Sequence, residues 1–337
     1  MLKEKIIDRV LSAPKSILTD RSRCLRMRYN GNLCSQCTAQ CRAGAIAIDG
    51  DVHVLADHCS ECMLCVSVCP SDCFKIQGPD FYSVIGRLRK IWPSVQLPVL
   101  GCNTSTDADC HGKTFCFGFM SEEHVIALAV FLEGALQIDV SGCAGCRNGF
   151  VLDVLKKRIE SVETKTSIKI SSRIKLVHHK ADLDFQEISY DRRGFFKALR
   201  NTTFTKAAGL FDHDDSGQEM QSYSAKKLPL KRELLNRVLK ALPEKPQRSL
   251  LENYYYMVDV DEDCDNCFSC IGMCPTGALK IENSGDKREL FFSSSLCNAC
   301  GLCEGFCKKR SVRIEKGFWG ENPFKFGNAK EEVFCTG

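Results

Sequence analysis

The chain has 337 residues, 44% of them apolar, with 23 cysteines and a formal charge of +4. That length carries two or three domains and excludes a disordered chain, and so slight a charge gives no reason to expect nucleic acid as a partner. No stretch approaches the roughly 18 consecutive apolar residues of a membrane span, no apolar signal segment follows Met1-Leu2-Lys3-Glu4-Lys5, and the cysteines cluster at metal-ligand spacings. Metal ligation in a reducing, anaerobic, cytoplasmic compartment is therefore expected, not disulfides.

Ile6, Ile7, Val10 and Leu11 recur at helical spacing, which predicts a short amphipathic helix ending near Pro14. Arg21, Arg23, Arg26 and Arg28 then surround Cys24. This run reads either as a solvated basic loop or as a positive field that raises the potential of a nearby cluster or docks an acidic partner. Cys34, Cys37 and Cys41 follow, and then Cys59, Cys62, Cys65 and Cys69 with Pro70 in the spacing C-x2-C-x2-C-x3-C. Between them, 45–48 and 52–55 alternate apolar and polar positions around Asp49-Gly50-Asp51, predicting a hairpin. Residues 1–78 form the expected N-terminal module.

Residues 79–180 have a different character. A strand over 97–100 ends at Gly101-Cys102, and a helix over 122–133 carries Val125, Leu128, Ala129 and Leu132 on one face. A strand over 135–140 runs into Cys143-Ala144-Gly145-Cys146, a helix over about 147–160 follows, and a strand over 174–177 closes the series. This alternation predicts a parallel α/β sheet, whose ligands gather at the carboxyl ends of the strands. The stretch from 97 to 160 resembles the iron–sulfur domain of the methyl-viologen-reducing hydrogenase delta-subunit family. The resemblance is carried by Cys116-Phe117-Gly118, a helix ending Leu132-Glu133-Gly134-Ala135, and Gly142-Cys143-Ala144-Gly145-Cys146. It implies a further cluster, [2Fe-2S], held by Cys102, Cys116, Cys143 and Cys146. Zinc, held by four thiolates or by three and His111, is the alternative.

Residues 181–250 read as a polar helical linker. Within it Tyr190 to Lys197 looks like a twin-arginine signal, but its internal position favours a surface helix. A loop is expected over 211–224 and an amphipathic helix over 230–242. Residues 251–316 then carry two copies of the cysteine spacing: Cys264, Cys267, Cys270, Cys274 with Pro275, and Cys297, Cys300, Cys303, Cys307. Hairpin strands at 278–281 and 289–292 lie between them. The doubled motif resembles the bacterial two-[4Fe-4S] ferredoxin family, in which the fourth cysteine serves the neighbouring cluster. The resemblance implies one cluster on Cys264, Cys267, Cys270 and Cys307 and another on Cys297, Cys300, Cys303 and Cys274.

The stretch Arg42 to Ile46 after Cys41 matches Pro275 to Leu279 after Cys274, so Cys41 takes the fourth motif position. Cys34 and Cys37 are then second and third, and the first falls on Gly31, which has no thiol. Cys24 is expected to fill that corner and Cys73 is the alternative ligand, otherwise a core thiol. The expected sets are Cys24, Cys34, Cys37, Cys69 and Cys59, Cys62, Cys65, Cys41. The aromatic tail 317–337 is expected to pack back on the protein or on a partner.

The expected fold is two α+β ferredoxin-like modules flanking a central α/β parallel-sheet domain. No flavin or nicotinamide fingerprint, Walker loop or nucleophile set occurs. The expected function is that of an electron-transfer subunit, with four [4Fe-4S] clusters joined through a fifth centre. It would relay single electrons between a donor and a catalytic oxidoreductase partner. Two alternatives stay open: a reductase whose central cysteine site acts on a disulfide or small molecule, with Cys73, Cys110 and Cys335 as surplus thiols, and a protein with a structural zinc centre serving partner binding.

Overall fold

The computed structural model describes residues 16–92, 94–103, 109–132, 134–188, 222–284 and 287–330. The helix expected before Pro14, the twin-arginine-like stretch, most of the 211–224 loop, Phe334 and Cys335 lie outside them.

The N-terminal part contains β1 (Ile17–Thr19), α1 (Leu25–Arg28), α2 (Gln36–Gln40), β2 (Ile46–Ile48), β3 (Val52–Val54), α3 (Leu64–Val68) and β4 (Phe74–Ile76). β1 pairs antiparallel with β4, Ile17 opposite Ile76, and β2 with β3, Ile46 opposite Val54. Gly50 turns the hairpin with φ of 85°, a conformation open to glycine without a Cβ penalty.

Next comes α4 (Phe81–Ile91), capped by Asp80, whose Oδ1 accepts from the Ser83 amide at 2.7 Å. It leads to β5 (Val99–Cys102), β6 (Gly112–Thr114), α5 (Glu122–Phe131), β7 (Leu136–Asp139), α6 (Val151–Lys165) and β8 (Ile174–Val177). The four strands form one parallel sheet in the order β6-β5-β7-β8. β6 lies where no strand is expected from the sequence. α5 is buried all round, Val125, Ile126, Ala127, Leu128 and Ala129 included, not on one face alone. The reason is a second cover, α7 (Leu230–Ala241), packed on the side away from the sheet.

After α7 come α8 (Glu244–Tyr254), β9 (Tyr256–Val260), α9 (Ser269–Met273), β10 (Leu279–Ser284), β11 (Lys287–Phe292), α10 (Leu302–Phe306), β12 (Val312–Lys316) and β13 (Gly327–Asn328). β9 pairs antiparallel with β12, β10 with β11, and β13 extends the hairpin. This repeats the N-terminal layout: the first and last strands pair, an inner hairpin lies between them, and two short helices each follow a cysteine turn. One hydrophobic core runs from Ile17 through the parallel sheet to α7, α8 and Phe318, while Val258, Leu279, Leu290, Phe292 and Val312 form a second. The tail packs back: Phe318 is buried, and Lys240 and Lys280 sit over the rings of Phe324 and Phe326 at 4.6 and 3.9 Å. Among the described residues no helix is long and apolar enough to cross a membrane.

Candidate metal centres

Every non-glycine residue of positive φ among the described residues lies in a cysteine turn. After Cys59 they are Glu61 and Met63, after Cys264 Asn266 and Phe268, and after Cys297 Ala299, followed by Gly301. Each fourth cysteine is likewise followed three residues on by a left-handed residue: Gly44, Asp72, Gly277 and Arg310. A left-handed residue costs about 1–2 kcal/mol when it carries a side chain, and such strain concentrates at functional sites. Here it turns successive amides into one concavity that suits an anion. The amides of Glu61 and Ala299 donate to Sγ of Cys59 and Cys297, both at 3.4 Å, and those of Ala45 and Cys73 donate to Cys41 at 3.2 Å and Cys69 at 3.3 Å. The irregular half-motif lacks this turn, since no positive φ occurs between Cys24 and Cys41. Cys24 instead sits at the N-cap of α1.

Thiols gather in sets. Cys37 is pushed up to about 12 by burial and then by Cys69, Cys34 and Cys24, and Cys34 is raised by burial and by Cys69 and Cys24. Cys24 is lowered to about 6, first by a hydrogen bond with Cys73, so these two thiols lie against each other. Cys59 and Cys65 are raised by burial, each next to Cys62 and Cys41, and all four thiols line one cavity with Ile17, Ala45 and Phe150. Burial pushes Cys297 to about 11 and Cys300 to about 12, and it raises Cys303, with Cys274 adding to each. Cys270 is pushed to about 11 by burial, then by Cys264 and Cys267. Cys307, at the C-cap of α10, packs on the same small core as Cys264 and Cys270. Among the described residues no three His, Cys, Asp or Glu side chains form a group that could hold a single metal ion.

At the carboxyl edge of the parallel sheet, β5 delivers Cys102 and a turn after β7 delivers Cys143 and Cys146. Asp139 caps that turn, its Oδ1 accepting from the Ser141 amide at 2.9 Å and the Ser141 hydroxyl at 2.6 Å. Cys116 is pushed to about 12 by burial, then by Cys102, Cys62 and Cys143, and Cys143 to about 11 by burial, Cys102 and Cys146. Cys110 stands apart, its Sγ against Gly101 and its neighbours Lys113, Asp139 and Arg87. His111 cannot complete a zinc site. Its Nδ1 accepts from the Val99 amide at 2.9 Å, its Nε2 donates to the Gln186 carbonyl at 2.8 Å, and its ring stacks on Phe185.

Specific contacts join the parts of the chain that carry these turns. Gly118 lies so close to the Cys62 carbonyl that a β-carbon there would stand 1.9 Å from its oxygen, and Asn148 Nδ2 donates to the Ser60 carbonyl at 2.8 Å. The α/β site therefore abuts the Cys59–Cys65 turn. On the far side of the N-terminal part, Asn298 Nδ2 donates to the Pro70 carbonyl at 2.7 Å, and Tyr29 meets Phe306 edge-on at 5.3 Å. The parts with the cysteine turns thus touch directly, and the parallel-sheet part touches both of them, at Cys62 through Gly118 and at Tyr254, whose hydroxyl donates to Glu122 at 2.6 Å.

The segment 222–231, read from sequence as a linker, straps the N-terminal part and residues 251–316 together. Lys226 Nζ donates to the carbonyls of Ile271, Gly272 and Cys274 at the end of α9. Lys231 Nζ donates to those of Ser67 and Cys69 at the end of α3. Sequence reasoning missed these residues, although Lys226, Lys227, Lys231 and Arg232 form a basic run at a helix start. Within the earlier arginine run Arg23 is buried and its Nε donates to the Ser71 carbonyl at 2.7 Å, while Arg21 is exposed.

Turns and thiols of this kind define an iron–sulfur protein of ferredoxin type. The ferredoxin of Methanothermococcus thermolithotrophicus is 34% identical over 64 residues, which is 18% of this chain and 98% of that protein. By that match, over a ferredoxin-length part of itself, the chain belongs to the ferredoxin family. The polyferredoxin protein MvhB of Methanothermobacter marburgensis is 33% identical over 63 residues, 16% of this chain and 15% of that protein. The DNA-directed RNA polymerase subunit Rpo3 of Methanosarcina mazei is 32% identical over 65 residues, 19% of this chain and 23% of that protein. The chain thus spans less than a quarter of the polyferredoxin and of the polymerase subunit. No family model matches the chain, so the likeness of its middle to the delta-subunit family rests on its own residues. The chain carries ferredoxin-like iron–sulfur modules, and the ferredoxin and polyferredoxin matches support a role in electron transfer.

Proposed function

We propose that the chain is a multi-cluster relay that passes single electrons between a donor protein and a catalytic oxidoreductase partner. Residues 1–78 and 251–316 are the two ferredoxin modules. Four [4Fe-4S] clusters would be held by Cys24, Cys34, Cys37, Cys69, by Cys59, Cys62, Cys65, Cys41, by Cys264, Cys267, Cys270, Cys307, and by Cys297, Cys300, Cys303, Cys274. Cys102, Cys116, Cys143 and Cys146 would hold a [2Fe-2S] centre. Such clusters supply one-electron storage without proton chemistry.

The observation that carries this reading is the repeated left-handed turn, which spends backbone strain to aim amides at thiolates. Those N–H groups stabilise the charged sulfurs, and the surrounding burial keeps water from them. Iron and sulfide analysis of the anaerobically purified chain tests the reading. About 18 irons, sixteen plus two, are expected, whereas about 16 irons with one zinc would make the α/β centre structural and a chain without iron would end the proposal.

A further inference from the structure

We propose that Arg28 and Arg232 clamp the Cys274, Cys297, Cys300, Cys303 site with positive charge, making it the point of highest potential within residues 251–316. An electron entering at the exposed Cys267 end then settles beside the N-terminal module. This rests on the reading of these cysteines as cluster ligands.

Arg232 is 5% exposed and sits in the first turn of α7. A cation there meets the unfavourable end of the helix dipole, and burial without partners costs a guanidinium heavily. Yet its Nε and Nη1 have no hydrogen-bond partner, and only the rings of Tyr255 and Tyr256 lie over it, at 4.7 and 5.5 Å. Tyr256 exchanges hydrogen bonds with Ser294, whose hydroxyl donates to its carbonyl at 2.6 Å, and Ser294 opens the turn that runs into Cys297. Arg232 lines a cleft with Asn298 and Ala299 that also holds Glu122 and Glu123, and Glu122 is engaged by Lys165 Nζ at 2.9 Å and by the Tyr254 hydroxyl at 2.6 Å.

Arg28 approaches the same site from another part of the chain. Its Nη1 and Nη2 are fixed on the carbonyls of Tyr223 and Ala225 at 2.9 and 3.4 Å, while its buried Nε has no partner. It shares a small cavity with Pro275, Thr276 and Asn298. Electrostatics agree: Arg232 acts on Cys297, and Arg28 feels Cys300 and Cys274.

The sister site is the internal reference. Around Cys264 and the exposed Cys267 stand exposed Glu262, Asp263 and Asp265, and the cations of that set, Arg288 over Phe268 at 5.4 Å and Lys308, Lys309 and Arg310 after Cys307, are exposed and screened, whereas the inner set has Glu304 acting on Cys297 and Cys303 against the buried Arg232. Each electron added to a site adds one negative charge, which buried positive charge and N–H donors stabilise and exposed carboxylates do not. One electron moves from the outer site to the inner, no bond forms or breaks, and no proton is needed.

Potentiometric titration of the anaerobic full chain, followed by electron paramagnetic resonance, tests this. Cys300→Ser and Cys267→Ser identify the inner and outer signals. The inner signal should titrate at the higher potential, move down in Arg232→Gln and in Arg28→Gln while the outer one stays, and recover in part in Arg232→Lys. An inner signal at the lower potential, or one unmoved in both variants at full iron content, overturns the clamp. Should Arg232→Gln lose iron, Arg28→Gln decides alone, its guanidinium lying outside the core. Absence of any cluster signal from the wild-type chain would instead overturn the electron-transfer reading.

Discussion

His124, at the third position of α5, shares its Nδ1 with the Ser121 hydroxyl at 2.8 Å and lies between the rings of Phe81 and Phe119. Burial, and then Lys231 and Arg158, lower it from 6.5 to about 3. The unfolded chain therefore binds a proton that the folded chain refuses. The stability it contributes is complete above about pH 6.5 and is lost as pH falls toward 3, by at most about 1.4 kcal/mol per pH unit. Denaturant titrations at pH 7 and pH 5 should differ by about 2 kcal/mol more in the wild type than in His124→Gln; equal differences would remove His124 from the acid response. A second test concerns the open corner left by Gly31. Cys24→Ala should convert or lose one cluster signal, and Cys73→Ala should leave it intact, because Cys34 and Cys37 feel Cys24 and Cys69 most directly. The opposite outcome would transfer the ligand role to Cys73. At this scale the sequence was most readable where spacing alone decides which thiols can meet. The left-handed residues were hidden, since Glu61, Met63, Phe268 and Arg310 are not residue types that announce such a backbone.

At the scale of elements, the parallel sheet was legible because strands and helices alternate in their hydrophobic period, and β8 runs over Ile174–Val177 as read. β6 escaped notice because Gly112-Lys113-Thr114 has no apolar run: it is an edge strand, held by the backbone pairing of Leu100 with Gly112. Gly118 escaped for another reason. Its importance lies in a partner 56 positions earlier (118 − 62), and no local pattern carries that. Gly118→Ala should force the Phe117–Phe119 turn off the Cys62 carbonyl and cost about 1–3 kcal/mol by overpacking. It should also weaken any magnetic interaction between the α/β centre and the Cys59–Cys65 cluster. Unchanged melting and unchanged spin coupling in that variant would mean that the two sites are not in close apposition.

For the whole molecule, residues 251–316 meet the N-terminal part where Asn298 bonds the Pro70 carbonyl, and the N-terminal part meets the parallel sheet where Gly118 lies on the Cys62 carbonyl. Sequence could not supply the first of these junctions, because it depends on residues 222–231 folding back over both modules through Lys226 and Lys231. Two cores also divide the molecule unequally. Cys300→Ser should therefore make residues 251–316 susceptible to limited proteolysis while the N-terminal part with the sheet stays resistant, because ligation replaces a large core in so small a unit. Simultaneous loss of both parts would show that the cores are coupled.

Cys267 is exposed while Cys65, Cys69, Cys274 and Cys303 are buried. Thiolate oxidation follows exposure, so the Cys264–Cys270 turn is the weak point toward air. Oxygen should bleach the Cys264–Cys270 site first and the buried pair at the module junction last, and iron release during controlled aeration should proceed in steps, not all at once. A relay built this way would lose its contact with a partner before it loses the electrons held in its interior.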